Sequence, residues 1–186
     1  MNHWELSILD WIRHTLGCPF LDAVMPWISR PVDNGILWIA LAALLLCLRR
    51  TRRTGVSMAA ALLMGLLLGN LLMKPLIARI RPYDLAEVSL LIDRLRDYSF
   101  PSGHTLASFE AATVLLLRKR SVGIPAMVFA VLVAFSRLYL YVHFPSDVIC
   151  GALFGILLAF MSNFLVNKIW EKNNERKLSN NSKQND

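Results

Sequence analysis

Six ionisable residues in an otherwise apolar chain have the types and spacing to do chemistry. In S-R-L-Y-L-Y-V-H-F-P-S-D-V, residues 136–148, Arg137, His143 and Asp147 stand at the junction of two apolar segments. K-P-L-I-A-R-I-R-P, residues 74–82, supplies Lys74 and Arg81, and Y-S-F-P-S-G-H-T, residues 98–105, supplies His104. Arginine forks match the oxygens of a phosphate, and lysine acts as a point charge. Three cations near hydrocarbon repel one another unless an anion compensates them. The competing reading is that each snorkels to lipid headgroups or pairs with Asp84, Asp93 or Asp97.

A single histidine at a membrane interface is ordinarily structural. Two on one side, amid three cations, point instead to proton transfer or nucleophilic attack. Asp147 follows His143 by four residues, and Pro145 suits the first turn of a helix. If the turn winds back, the carboxylate accepts the imidazole N–H, fixes its tautomer and stabilises a cationic ring. P-S-G-H reads as a loop feeding a helix, with Ser102 as the cap and Gly103 allowing close backbone approach. The free N–H groups and dipole of that helix start suit an anion.

The elements that must position these residues are membrane helices. Hydrophobic residues make up 55% of the 186 and charged residues 18%, a balance unlike that of a soluble domain. The expected fold is all-α, an integral-membrane bundle of five spanning helices. The spans run from about Val32 to Leu48, Val56 to Ile77, Gly103 to Leu117, Val122 to Tyr141 and Asp147 to Val166. A sixth crossing from residues 18–30 is opposed by Pro19, Pro26, Pro31, Asp22 and Arg30. Trp4, Ile8, Trp11 and Ile12 recur at helical spacing, which predicts an amphipathic N-terminal helix at the membrane surface rather than a signal peptide. Residues 1–168 form one membrane domain, and the polar tail 169–186 is expected to be disordered. Gly65-x-x-x-Gly69 and Gly151-x-x-x-Gly155 predict close helix contacts, within one bundle or across a dimer.

Charge sets the expected sidedness. Arg49, Arg50, Arg52 and Arg53, then Arg118, Lys119 and Arg120, then the basic tail lie on one side, which is read as cytoplasmic. All three reactive clusters fall on the opposite, extracytoplasmic side. The net charge of +7 forms no single stripe beside stacking aromatics, which argues against nucleic acid. Cys18, Cys47 and Cys150 are odd in number and lack a C-x-x-C, so neither a disulfide framework nor a metal site is expected.

These residues resemble the phosphatidic acid phosphatase type 2 superfamily, which includes the vanadium haloperoxidases. Its pattern has K-x6-R-P, here Lys74 to Pro82, then P-S-G-H, here Pro101 to His104. The third part is S-R-x5-H-x3-D, here Ser136, Arg137, His143 and Asp147. Every position matches, over 74 of the 186 residues. The resemblance implies hydrolysis of a lipid phosphate or diphosphate through a phosphohistidine, without metal or cofactor, in a multi-pass cell membrane protein. His143 would be the nucleophile, Asp147 its orienting carboxylate and His104 the general acid. Lys74, Arg81, Ser102, Gly103 and Arg137 would hold the phosphoryl oxygens. Undecaprenyl diphosphate is the expected substrate, with phosphatidylglycerophosphate, phosphatidic acid and lipid A as alternatives. A transporter would carry charges through the depth of the bundle, and only Glu110 and Asn70 lie deep. A lipid-binding protein without catalysis would not need both histidines and Asp147.

Overall fold

In the computed structural model, residues 3–184 are described, with side chains for residues 3–176. Residues 1–2 and 185–186, the ends of the amphipathic segment and the polar tail, lie outside the described residues. All regular structure among the described residues is helical. The chain runs through α1 (His3–Leu16), α2 (Pro19–Ser29), α3 (Ile36–Cys47), α4 (Arg52–Met64) and a short α5 (Lys74–Ile77). It ends with α6 (Gly103–Arg118), α7 (Arg120–Tyr139) and α8 (Pro145–Gln184).

Four helical stretches are long and apolar enough to cross a membrane: Pro19–Cys47, Arg52–Asp84, Arg120–Tyr139 and Pro145–Arg176. The first joins α2 to α3 through a 3₁₀ segment, Arg30–Gly35, with non-helical backbone at Asp33 and Asn34. The expected first span thus begins earlier in the chain, and the segment doubted for its prolines is helical. Pro19 sits in the first turn of α2, where no intrahelical N–H is lost. α6 has 16 residues, about 24 Å of helix, short of the hydrocarbon thickness. It is the hub of the bundle, packed between α7 and α8, with nine buried residues from Thr105 to Leu115. α8 continues as helix through residues 169–184, the segment expected to be disordered. Lysine, glutamate and arginine propagate helix well once the preceding turns are fixed.

Small residues let the helices meet. A side chain at Gly155 would lie 2.6 Å from the Leu106 carbonyl, and one at Gly151 3.0 Å from that of Ser102, so both glycines face α6. Gly65 and Gly69 also face α6, against Glu110 and Leu106. The two glycine motifs therefore serve packing inside one chain. Trp38, Met58, Ala61, Ala111, Val114 and Val133 fill the centre. At the far end Asn167 accepts hydrogen bonds from Arg53 (3.0 Å) and Arg118 (2.7 Å), which brings the basic junctions together. Outward-facing Ile39, Leu71, Val128, Leu153 and Phe164 are exposed, as lipid contact requires.

The apolar face expected of α1 is divided between the outside and the core. Trp4 and Trp11 are 57% and 61% exposed, and the inward face is Glu5, Leu9 and Ile12. Tyr141 donates to Asp10 and Tyr139 to Asp22, each at 2.7 Å, tying α1 and α2 to the end of α7.

Candidate active site

The site begins where α4 loosens. Its helix continues from Gly65 to Met73 with widened π-type turns, in which the Lys74 N–H reaches back to the Gly69 carbonyl. Such turns shift side-chain directions relative to an α-helix. Asn70 and Lys74 consequently line the central cavity. α5 ends at Ala78 in the left-handed conformation (φ 48°), which turns the chain and brings Arg79 and Arg81 back over the bundle end.

Arg81 is 2% exposed and held on all sides. Its Nε donates to the Asp97 carbonyl (2.9 Å), Nη1 to the Val142 carbonyl (2.7 Å) and Nη2 to Asp97 Oδ1 (2.6 Å). Nη1 also lies 3.3 Å from His143 Nε2. Arginine has no acceptor, so this contact requires an unprotonated Nε2 and a proton on Nδ1. On the other edge of the ring, Ser99 Oγ stands 3.4 Å from Nδ1 and donates to Asp147 Oδ2 at 2.5 Å. Asp147 Oδ2 is itself 3.7 Å from Nδ1, so the carboxylate acts on the imidazole chiefly through Ser99. Burial holds the His143 imidazole down at about 3, against the pull of Asp147 and with the help of Arg81 and Arg137. The ring is neutral, with its Nε2 lone pair turned to Arg81.

Arg137 is 1% exposed. Its Nη1 is bonded to Ser29 of α2, while Nε and Nη2 have no partner among the described residues. His104 Nε2 is 2.8 Å from Asp33 Oδ1 on the 3₁₀ segment. Lys74 Nζ is bonded to Asp97 Oδ2, so one carboxylate bridges Lys74 and Arg81. Burial raises the Asp97 carboxyl, but Lys74 and Arg81 outweigh it and hold the group at about 2.

Lys74, Arg81, Gly103, His104, Arg137 and His143 all face one cavity of about 1480 Å³. Asp147 stands directly behind His143. Ser102 is buried but turned away: its Oγ pairs with Thr105 Oγ1 at 2.9 Å and makes no cap to the helix backbone. The expected cap fails because Thr105 offers a nearer hydroxyl partner. Ser102 N–H instead donates to the Asp147 carbonyl (3.2 Å), joining α6 to α8. Below the cations the cavity continues between α3, α4 and α6 along Ala43, Leu46, Leu62, Leu63 and Leu66. Glu110 lines this lower part, and neither its Oε1 nor Asn70 Oδ1 has a partner among the described residues, so the two side chains do not pair through these atoms.

The sequence reading missed Ser99, Arg79 and Asp33, and took Asp97 only as a possible partner of the cations. Arg79 lies inside the K-x6-R-P stretch, the one signal that could have marked it.

A buried cationic pocket beside a neutral imidazole, opening into an apolar channel of a helical bundle, defines a membrane protein built to handle an anionic group on a hydrophobic molecule. The chain belongs to the PAP2 superfamily, matched over residues 54–171. It is 36% identical over 144 residues to an undecaprenyl-diphosphatase of Sulfolobus acidocaldarius, covering 76% of this chain and 69% of that protein. It is 29% identical to undecaprenyl-diphosphatase BcrC of Bacillus subtilis, covering 76% and 72%. Among solved structures, a transmembrane phosphatidylglycerolphosphate phosphatase from Bacillus subtilis superposes with a TM-score of 0.73 at 28% identity, over 90% of this chain and 87% of that one. Aquifex aeolicus LpxE gives 0.74 at 29% identity, over 86% and 94%. The protein is a membrane-embedded lipid phosphatase.

Proposed function

We propose that the protein hydrolyses a lipid diphosphate, undecaprenyl diphosphate, through a phosphohistidine on His143. The observation that carries this reading is the continuity of the cationic pocket with the apolar channel. A phosphoryl group seated among Lys74, Arg81 and Arg137 leaves its hydrocarbon running between α3, α4 and α6. The choice of a polyprenyl lipid draws on the undecaprenyl-diphosphatases among the relatives.

His143 Nε2 attacks the terminal phosphorus while the bond to the bridging oxygen breaks. Asp147, through Ser99, supports the positive charge that develops on the ring. His104, as the imidazolium paired through Nε2 with Asp33, yields a proton to the leaving oxygen and becomes neutral, releasing undecaprenyl phosphate. Water then attacks the phosphohistidine, His104 takes its proton, and inorganic phosphate departs with His143 again neutral. Arg137, with two open nitrogens, stabilises charge on the transferring phosphoryl oxygens. The concentration of basic residues at the opposite end supports an extracytoplasmic site and a cytoplasmic C-terminus.

The test is phosphate release in detergent with EDTA present, comparing undecaprenyl diphosphate, phosphatidylglycerophosphate, phosphatidic acid and a lipid A phosphate. The highest kcat/KM is expected for undecaprenyl diphosphate. A glycerolipid hydrolysed at least tenfold faster would overturn the substrate assignment, and dependence on added metal would overturn the mechanism.

Asp97 supplies a second expectation. Its carboxylate is ionised at any working pH and occupies both Lys74 and Arg81, where an incoming phosphate must compete with it. Asp97→Asn is expected to tighten inhibition by orthovanadate or inorganic phosphate about tenfold, the effect of one removed like charge. An unchanged inhibition constant would show that the anion binds without displacing Asp97.

A further inference from the structure

We propose that Glu5, on the N-terminal helix α1, is a positioning residue for the reaction: it fixes Arg79, and Arg79 fixes the Asp147 carboxylate behind His143. The inference rests on the roles given above to His143 and Asp147.

Glu5 is fully buried, although the neighbouring Trp4 is 57% exposed. A buried carboxylate is costly unless its oxygens are paired, and both are. Oε2 accepts from Arg79 Nη2 at 2.5 Å. Oε1 accepts from the Ser146 N–H (3.0 Å) and the Ser146 hydroxyl (2.6 Å). The other arm of the Arg79 fork, Nη1, donates to Asp147 Oδ1 at 2.5 Å and to Ser146 Oγ at 2.7 Å. The guanidinium lies 4.0 Å above the Phe144 ring, which fixes its plane.

The result is a chain of contacts from the N-terminal helix to the reacting ring. Glu5 holds one arm of Arg79, and the other arm holds Asp147 Oδ1. Asp147 Oδ2 is thereby turned to Ser99 Oγ (2.5 Å) and the Phe144 N–H (2.9 Å), on the side facing His143. Charge gives a second reason for Glu5. Arg79 and Asp147 alone would form a neutral pair. With Glu5 the cluster keeps one net negative charge, which supports the positive charge His143 acquires on attacking phosphorus. Packing alone does not call for a carboxylate here: Leu9 and Ile12 fill the same inward face of α1 with apolar side chains. Glu5 lies outside residues 54–171, so the N-terminal helix adds this contact to the part of the chain that matches the family.

The test is a double-mutant cycle on kcat with full-length protein in detergent, using Glu5→Gln, Arg79→Gln and the double variant, with undecaprenyl diphosphate as substrate. Glu5→Gln is expected to lower kcat about 10- to 100-fold with KM changed less than about twofold, as for a misplaced catalytic group. The double variant is expected to be no slower than Arg79→Gln alone, because both changes break one chain of contacts. Leu9→Ala loosens the same face of α1 without touching Arg79. It should lower the thermal midpoint while leaving kcat within about twofold. Three results would overturn the proposal: full kcat in Glu5→Gln, losses that multiply in the double variant, or an equal kcat loss in Leu9→Ala. If Glu5→Gln is recovered unfolded, Arg79→Gln and the double variant carry the test. Equal kcat in those two supports the chain of contacts, and a further fall of about tenfold in the double overturns it. His143→Ala separates the underlying reading: activity surviving in that variant refutes the phosphohistidine route. An inactive His143→Ala beside a fully active Glu5→Gln refutes only the role of Glu5.

Discussion

His143→Ala is expected to lower phosphate release by about 10⁴-fold or more, the scale on which a covalent nucleophile is lost. The surrounding geometry explains why no neighbour can replace it. Nε2 of the neutral His143 ring presents its lone pair at the cationic end, with Arg81 beside it and Ser99 at Nδ1. His104 is tied through Nε2 to Asp33. The variant should still fold, because alanine leaves Arg81 with its carbonyl partners and Asp97. Wild-type protein quenched in alkaline detergent should carry labelled phosphate that is stable to base and labile to acid, as a phosphoramidate is. His143→Ala should carry none. Turnover persisting within tenfold of wild type would require direct attack by water, and would reassign His143 to binding.

Arg137→Lys is expected to lower kcat about 10²- to 10³-fold, nearly as much as Arg137→Ala, although the charge is kept. The reason lies in how the fork is divided. Nη1 is committed to Ser29, and Nε and Nη2 are left without partners beside the cavity. A lysine ammonium placed on Ser29 could not also reach the phosphoryl oxygens in the same geometry. Being fully desolvated, Arg137 interacts strongly with charge that grows on the phosphoryl group and needs no reorganisation to do so. The loss should appear in kcat more than in KM, because Lys74 and Arg81 still bind the ground state. If Arg137→Lys retains wild-type kcat, Arg137 serves only as a charge holding α2 to α7.

Much of the site was legible in the sequence because hydrocarbon makes ionisable residues expensive. Where most of the chain is apolar, Lys74, Arg81, His104, Arg137, His143 and Asp147 stand out by type alone. Basic junctions at alternate helix ends also require the three clusters to share one end of the bundle. The helical class, the N-terminal helix and the pocket-facing set follow from composition, periodicity and charge placement. Local spacing also marked the start of α8 at Pro145, which brings Asp147 behind His143.

The carboxylates that govern these residues were decided by tertiary structure. Asp97 meets Lys74 across 23 positions, Asp33 meets His104 across 71, and Glu5 meets Arg79 across 74. No helical period links such pairs, and several acids were equally available in the same loops. The orientation of α1 shows the same limit. Periodicity located an apolar face at Trp4, Ile8, Trp11 and Ile12 but could not say what each residue meets. A membrane protein has two apolar surroundings, lipid outside and core inside, and both accept the same residues. Only the packing of α1 over the end of α7 and the start of α8 sends the tryptophans outward and Glu5 in to Arg79. In the same way the sequence made Asp147 a partner for His143, but the fold placed Ser99 between them.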